Sequence, residues 1–129
     1  MRRRGEFRLT EVDLLKPEHF PVQAIFNMLS DDRFIRIMKG ISEGHGFGEN
    51  YGACTFPDDL DEYDIATTGM FEGVEFGLHN GETVILDYQT LYYYLEKICN
   101  GYIEDFPQKK EDIDKILAQI RSVYQIQNQ

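Results

Sequence analysis

The stretch FEGVEFGLHNGETVILDY, residues 71–88, decides the fold. Val74, Phe76 and Leu78 alternate with Gly73, Glu75 and Gly77, a period of two that puts one apolar face on a β-strand. Asn80-Gly81 follows. That dipeptide accepts the positive φ angles of a type I′ turn, so the spacing predicts a β-hairpin whose return strand is 82–86. Asp87 then stands where a helix needs an N-cap, ahead of YQTLYYYLEKICNGYI with Leu91, Tyr94, Leu95, Ile98 and Tyr102 on one face. Tyr92 and Tyr93 cannot both share that face, so one of them is expected at the helix margin.

Downstream, Phe106-Pro107 ends this helix, and QKKEDIDKILAQIRSVY gives a last amphipathic helix through Ile113, Ile116, Leu117, Ile120 and Val123. Upstream, KPEHFPVQAIFNML predicts a short helix with Phe20, Ile25, Phe26 and Leu29 inward and Pro17 and Pro21 at its entrance. SDDRFIRIMKGIS predicts a second, with Ser30 as N-cap, Asp31 and Asp32 in the first turn and a stripe of Phe34, Ile37, Met38 and Ile41. EGHGFGENYG holds four glycines in ten residues and reads as a connector that breaks regular structure. YGACTF is a short strand ended by Pro57, and a further short strand is expected at 65–68.

The order is helices, antiparallel strands, helices, with no repeat, no βαβ alternation and no linker. This is a single α+β domain over residues 1–129, an antiparallel sheet centred on the hairpin with N-terminal and C-terminal helices packed on it. Residues 1–16 form an N-terminal arm whose basic start is expected to fray.

Composition sets the class. A chain of 129 residues, 42% hydrophobic and 13% aromatic, can bury enough surface to fold despite a net charge of −10. No apolar run approaches the roughly 20 residues that span a bilayer, and no apolar stretch follows the basic opening MRRRGEFR, so a cytoplasmic protein away from the membrane is expected. Cys54 and Cys99 have no metal-ligand spacing and are expected as reduced, buried thiols. A sequence pI near 4.6 argues against nucleic-acid binding, which rests on Lys and Arg at phosphates. An acidic protein attracts basic partners instead.

The charge is also segregated. From Gly40 through Glu96 there are twelve Asp and Glu and no Lys or Arg, all thirteen basic residues lying outside. The densest part is CTFPDDLDEYD, residues 54–64, with Asp58, Asp59, Asp61, Glu62 and Asp64. A cation site there would need the glycine and downstream ligands of a calcium loop, and Tyr63 stands where the third ligand should be. Neither metal ligands nor a cofactor are therefore assigned. Glycoside hydrolysis needs two carboxyl groups held a fixed distance apart, which adjacent aspartates on a loop do not supply. GHGFG at 44–48 matches neither phosphate-binding glycine pattern, and His19, His45 and His79 each lack the partners of a general base. No catalytic residue is assigned, and the chain is not expected to be an enzyme.

What remains is a solvated acidic face or an acidic recognition face. Phe56, Tyr63 and Phe71 are interleaved with the carboxylates, and Glu72 and Glu75 extend the charge along the strand. Aromatic anchors inside a field of one sign suit an electrostatically steered protein interface. The binding residues expected are Asp58, Asp59, Asp61, Glu62, Tyr63, Asp64, Phe71, Glu72 and Glu75.

GACTFPDDLDEYD, FEGVEFGL and YYYLEKICNGYIEDFPQKKEDIDKILAQI resemble the CdiI immunity proteins that neutralise ribonuclease toxins of contact-dependent growth inhibition (CDI) systems, over about residues 20–124. The resemblance implies a cytoplasmic inhibitor that binds the C-terminal toxin domain of a cognate CdiA and has no chemistry of its own. A toxin that cuts RNA must bind phosphates and tends to be basic, the complement that the charge pattern asks for. It implies that the carboxylates of 58–64 fill the groove RNA would occupy. The competing reading is a small regulatory or ligand-binding domain whose acidic loop holds a divalent cation.

Overall fold

In a computed structural model, residues 9–49, 52–56 and 73–124 are described. Four strands, β1 (Phe47–Glu49), β2 (Gly52–Thr55), β3 (Val74–Leu78) and β4 (Thr83–Leu86), pair antiparallel in sequence order. Around them stand helices α1 (Phe20–Asn27), α2 (Asp31–Ser42), α3 (Tyr88–Asp105) and α4 (Lys110–Tyr124), with short 3-10 turns at Glu11–Asp13, Pro17–His19 and Pro107–Lys109. This is the α+β architecture read from the sequence. No described helix is long and apolar enough to cross a membrane.

The sheet register follows from the side-chain alternation. Phe47, Cys54, Phe76 and Val84 are successive cross-strand partners, so one row of apolar side chains runs across all four strands. Cys54, Val74, Phe76 and Leu86 on this face are buried. Helix α1 packs across β2, β3 and β4, and α3 reaches β4. Phe26 of α1 meets Phe76 edge-on with ring centroids 5.3 Å apart and stacks on Phe47 at 6.2 Å. Helices α2, α3 and α4 complete the core, with Phe34 of α2 stacked on Tyr102 of α3 at 4.2 Å. Aromatic pairs of this kind add about 0.5–1.5 kcal/mol each beyond the area they bury.

Asp87 caps α3 as its position predicts, its carboxylate accepting from the Thr90 N–H at 2.7 Å. Ser30 occupies the N-cap position of α2 in extended backbone, but its side chain makes no capping hydrogen bond. The turn of the hairpin differs from the type I′ expected. Gly81 N–H donates to the Leu78 carbonyl at 3.0 Å and Leu78 N–H to the Glu82 carbonyl at 2.8 Å, which closes a three-residue loop with Gly81 at φ +98°. The reason lies in Asn80, whose side-chain oxygen accepts from the Glu82 N–H at 2.9 Å and so supports a turn followed by a glycine bulge.

Three further expectations change. The glycine-rich connector holds a strand, because Gly48 pairs with Ala53 and Phe47 with Cys54. Phe20 is 46% exposed rather than inward, and Val123 is 45% exposed. The strand expected at 65–68 lies outside the described residues.

The described part of the N-terminal arm is pinned to the core. Leu9 is fully buried, and the Asn27 side chain accepts from its N–H at 3.1 Å while donating to its carbonyl at 2.7 Å. Further along, the Tyr93 hydroxyl donates to the Asp13 carbonyl at 3.0 Å, and the Tyr94 hydroxyl accepts from the Leu15 N–H at 2.8 Å. Tyr92 turns the other way and accepts from Arg121 of α4 at 2.5 Å. The three consecutive tyrosines thus tie α3 to the arm and to α4, with Tyr93 the half-buried one at the margin.

Candidate functional site

The acidic connection joins β2 to β3, and its two roots are firmly seated. Phe56, directly after β2, is buried and stacks on Tyr124 of α4 with centroids 5.9 Å apart; Tyr124 in turn stacks on Tyr88 at 4.6 Å. The Tyr124 hydroxyl donates to the Ile41 carbonyl at 2.6 Å, which locks α4 to the end of α2. At the other root Gly73 has φ +96° and lies so close to β4 that a Cβ would stand 2.2 Å from the Leu86 carbonyl oxygen. Only glycine fits there. Chain entry and exit are therefore set by packing on one side and backbone contact on the other.

Of the residues expected to bind, Glu75 is described. It lies on β3 between Thr55 of β2 and Ile85 of β4, on the face turned away from α1, and is half-buried. Among the described residues its carboxylate has neither a hydrogen bond nor an ion pair. Asp58, Asp59, Asp61, Glu62, Tyr63, Asp64, Phe71 and Glu72 lie outside the described residues.

The remaining candidates have structural roles or none. His19 is buried, its Nδ1 2.7 Å from the Tyr94 hydroxyl, and burial holds its pKa below the usual histidine value. His45 and His79 are exposed. Cys54 and Cys99 are buried thiols outside any disulfide, and burial pushes the Cys99 thiol up to about 12, which keeps it protonated and unreactive at neutral pH. Among the described residues no group of three or more His, Cys, Asp or Glu is placed to hold a metal ion.

One surface escaped the sequence reading. Phe20, Ala24 and Met28 on the outer side of α1 face Leu78 across an apolar groove of about 410 Å³ that reaches the hairpin turn at His79 and Asn80. The signal that could have found it is the width of the apolar stripe on α1. Phe20 and Met28 fall outside the arc occupied by the buried Val22, Ile25 and Phe26.

Comparison with known proteins bears on the same residues. No curated protein matches the chain. The sequence model of the CDI immunity proteins matches residues 14–117, a span that contains the whole sheet, the acidic connection and α1 through most of α4. The chain therefore belongs to the CDI immunity protein family, the CdiI proteins that neutralise CdiA toxins.

Proposed function

We propose that this immunity protein binds the C-terminal domain of its cognate CdiA, a basic ribonuclease, and blocks its RNA-binding groove with the acidic surface built on the β2–β3 connection. Asp58, Asp59, Asp61, Glu62 and Asp64 supply the charge, Tyr63 and Phe71 the aromatic contacts, and Glu72 and Glu75 continue the surface along β3. Inhibition is stoichiometric and involves no chemistry by the immunity protein, which acts in the cytoplasm where the delivered toxin meets RNA.

The observation that carries this reading is charge segregation on an anchored frame. Twelve Asp and Glu and no Lys or Arg fall from Gly40 through Glu96, the section that contains the four described strands. Internal Lys or Arg partners would neutralise such a surface, and Glu75, the one described residue of the expected binding set, has none among the described residues. A field of one sign accelerates encounter with an oppositely charged partner and repels the wrong ones. A basic nuclease groove is its natural complement.

The test is a titration of RNA cleavage. The isolated CdiA C-terminal domain should degrade RNA, and activity should fall linearly to zero at one equivalent of immunity protein. A toxin that leaves RNA intact, or cleavage that persists past equivalence, contradicts the proposal.

A further inference from the structure

The sheet has two faces, and α1 covers one. On the other, the registers place Thr55, Glu75 and Ile85 in one row and Gly48, Ala53, Gly77 and Thr83 in the next. An antiparallel sheet that leaves one face in water usually carries polar side chains there. This face departs from that pattern. Ile85 is 48% exposed, Gly48, Ala53 and Gly77 contribute no polar side chain, and Glu75 is the one charge in the two rows.

The glycines sharpen the point, because Gly52 and Gly73 lie against backbone and Gly48 and Gly77 do not. A Cβ at Gly52 would stand 2.3 Å from the Gly77 carbonyl oxygen, and the clash at Gly73 is as severe. A Cβ at Gly48 meets nothing within 4 Å, and one at Gly77 meets only the Thr83 methyl group at 3.3 Å. Glycine weakens a strand, and among the described residues nothing fills the space beside Gly48, while at Gly77 the Thr83 methyl group would have to give by a few tenths of an ångström. Gly48, Ala53 and Gly77 thus line up across β1, β2 and β3 as a row of small residues next to the row of Glu75 and Ile85.

We propose that this second face is a docking surface for the toxin domain, which sets a Lys or Arg against Glu75 and an apolar side chain over the row of small residues beside Ile85. The proposal rests on the function proposed above and extends the contact from the β2–β3 connection onto the sheet. Charge selects the occupant. The strands bring no Lys or Arg to this face and Glu75 is the one charge in its two rows, which favours a basic partner, whereas a second copy docked face to face about Glu75 would oppose like charges. Thr55 and Glu75 are also the row next to Phe56 and Gly73, where the chain leaves and re-enters the sheet.

The experiment is calorimetric titration of the full chain and its variants Gly48→Leu, Glu75→Gln and Ile85→Thr with the isolated CdiA C-terminal domain, alongside thermal melting. The variants should melt close to the parent, since Gly48 has open space and Thr is a strand former. Glu75→Gln should bind about thirtyfold or more weaker, as losing one partner of a desolvated charge pair does. Gly48→Leu and Ile85→Thr should weaken binding as well. Unchanged affinity in all three, with tight binding by the parent, overturns the docking face and leaves the immunity function standing. A parent chain that fails to bind sinks the proposed function itself. A free dimer that Ile85→Thr dissolves without loss of toxin affinity assigns the face to a second copy and overturns the proposal. Glu75→Gln is nearly isosteric, so it carries the test even where a bulkier variant unfolds.

Discussion

His19 and Tyr94, 75 residues apart, share a buried hydrogen bond of 2.7 Å that also fixes the N-terminal arm, because the same tyrosine oxygen accepts from the Leu15 N–H. The hydroxyl can donate to Nδ1 while its oxygen accepts from the Leu15 N–H, an arrangement that suits a neutral imidazole. Burial depresses the His19 pKa, with Glu18 and Asp87 opposing and Lys16 adding to the effect. A group whose folded pKa lies below its unfolded value of about 6.5 binds protons more readily when unfolded. Its contribution is therefore full above pH 6.5 and lost as the pH falls through that value toward the folded pKa. Urea melts at pH 7.5 and pH 5 should reveal that loss in the parent and a shallower one in His19→Phe; equal slopes would refute it. Tyr94→Phe, which strands the Leu15 N–H, should cost about 1–3 kcal/mol at pH 7.5.

Replacement of Asp87 by Ala should remove the cap of α3 and destabilise the protein by about 1 kcal/mol, while Asn should retain most of the bond. The Thr90 hydrogen bonds hold the Asp87 pKa below the usual aspartate value. Its charge-linked stability is thus present above the unfolded pKa and lost as pH falls through the folded one, a dependence that Asp87→Asn should lack. Chemical denaturation between pH 3 and 7 reads both effects.

Gly73→Ala should be more harmful than its size suggests. It forces a side chain into φ +96° and onto the Leu86 carbonyl oxygen, where a Cβ would stand 2.2 Å away. A cost of about 1–3 kcal/mol is expected, with lost amide protection in β3 and β4. Gly81→Val should disturb the hairpin through φ +98° alone, as its Cβ meets nothing within 4 Å. Melting temperatures unchanged from the parent would contradict both.

Neither cysteine should react with a thiol reagent in the native protein at pH 8, and both should react after denaturation. Both are buried, and Cys99 is pushed up to about 12. Rapid native labelling, or fewer than two thiols in denaturant, would contradict this assignment.

The hairpin and α3 were legible in the sequence because two strong periods meet at Asn80-Gly81 and Asp87, each with its own local chemistry. What escaped was non-local. Phe20 fits a helical stripe in the sequence, yet the arc toward the sheet is filled by Val22, Ile25 and Phe26, and Phe20 is left in the outer groove. Strand β1 is invisible to alternation because Gly48 has no side chain and pairing with β2 alone makes it a strand. His19 reads as a lone histidine until Tyr94 is brought to it by packing. The turn type was missed because Asn80 spends its side chain on the Glu82 N–H, a choice that the dipeptide itself does not reveal. Of the residues expected to bind, Glu75 is the one described, and the alternation in the sequence placed it on a strand, on the face opposite Val74 and Phe76. The sequence pattern did not reveal that its row is flanked by an exposed Ile85 and bare glycines, which only strand register brings together.

The most direct measurement is the association rate and affinity of the CdiA C-terminal domain for the parent chain and for a variant with Asp58, Asp59 and Asp61 changed to Asn and Glu62 to Gln, taken at low and high salt. The account predicts an unchanged melting temperature and a total loss of several kcal/mol in binding, at about 2 kcal/mol or more per desolvated pair. It also predicts a slower association at low salt and a salt dependence much steeper in the parent than in the variant, because screening removes a steering field that only the parent has. Equal rates and affinities at low salt, with protection of toxin-exposed cells intact, would contradict it.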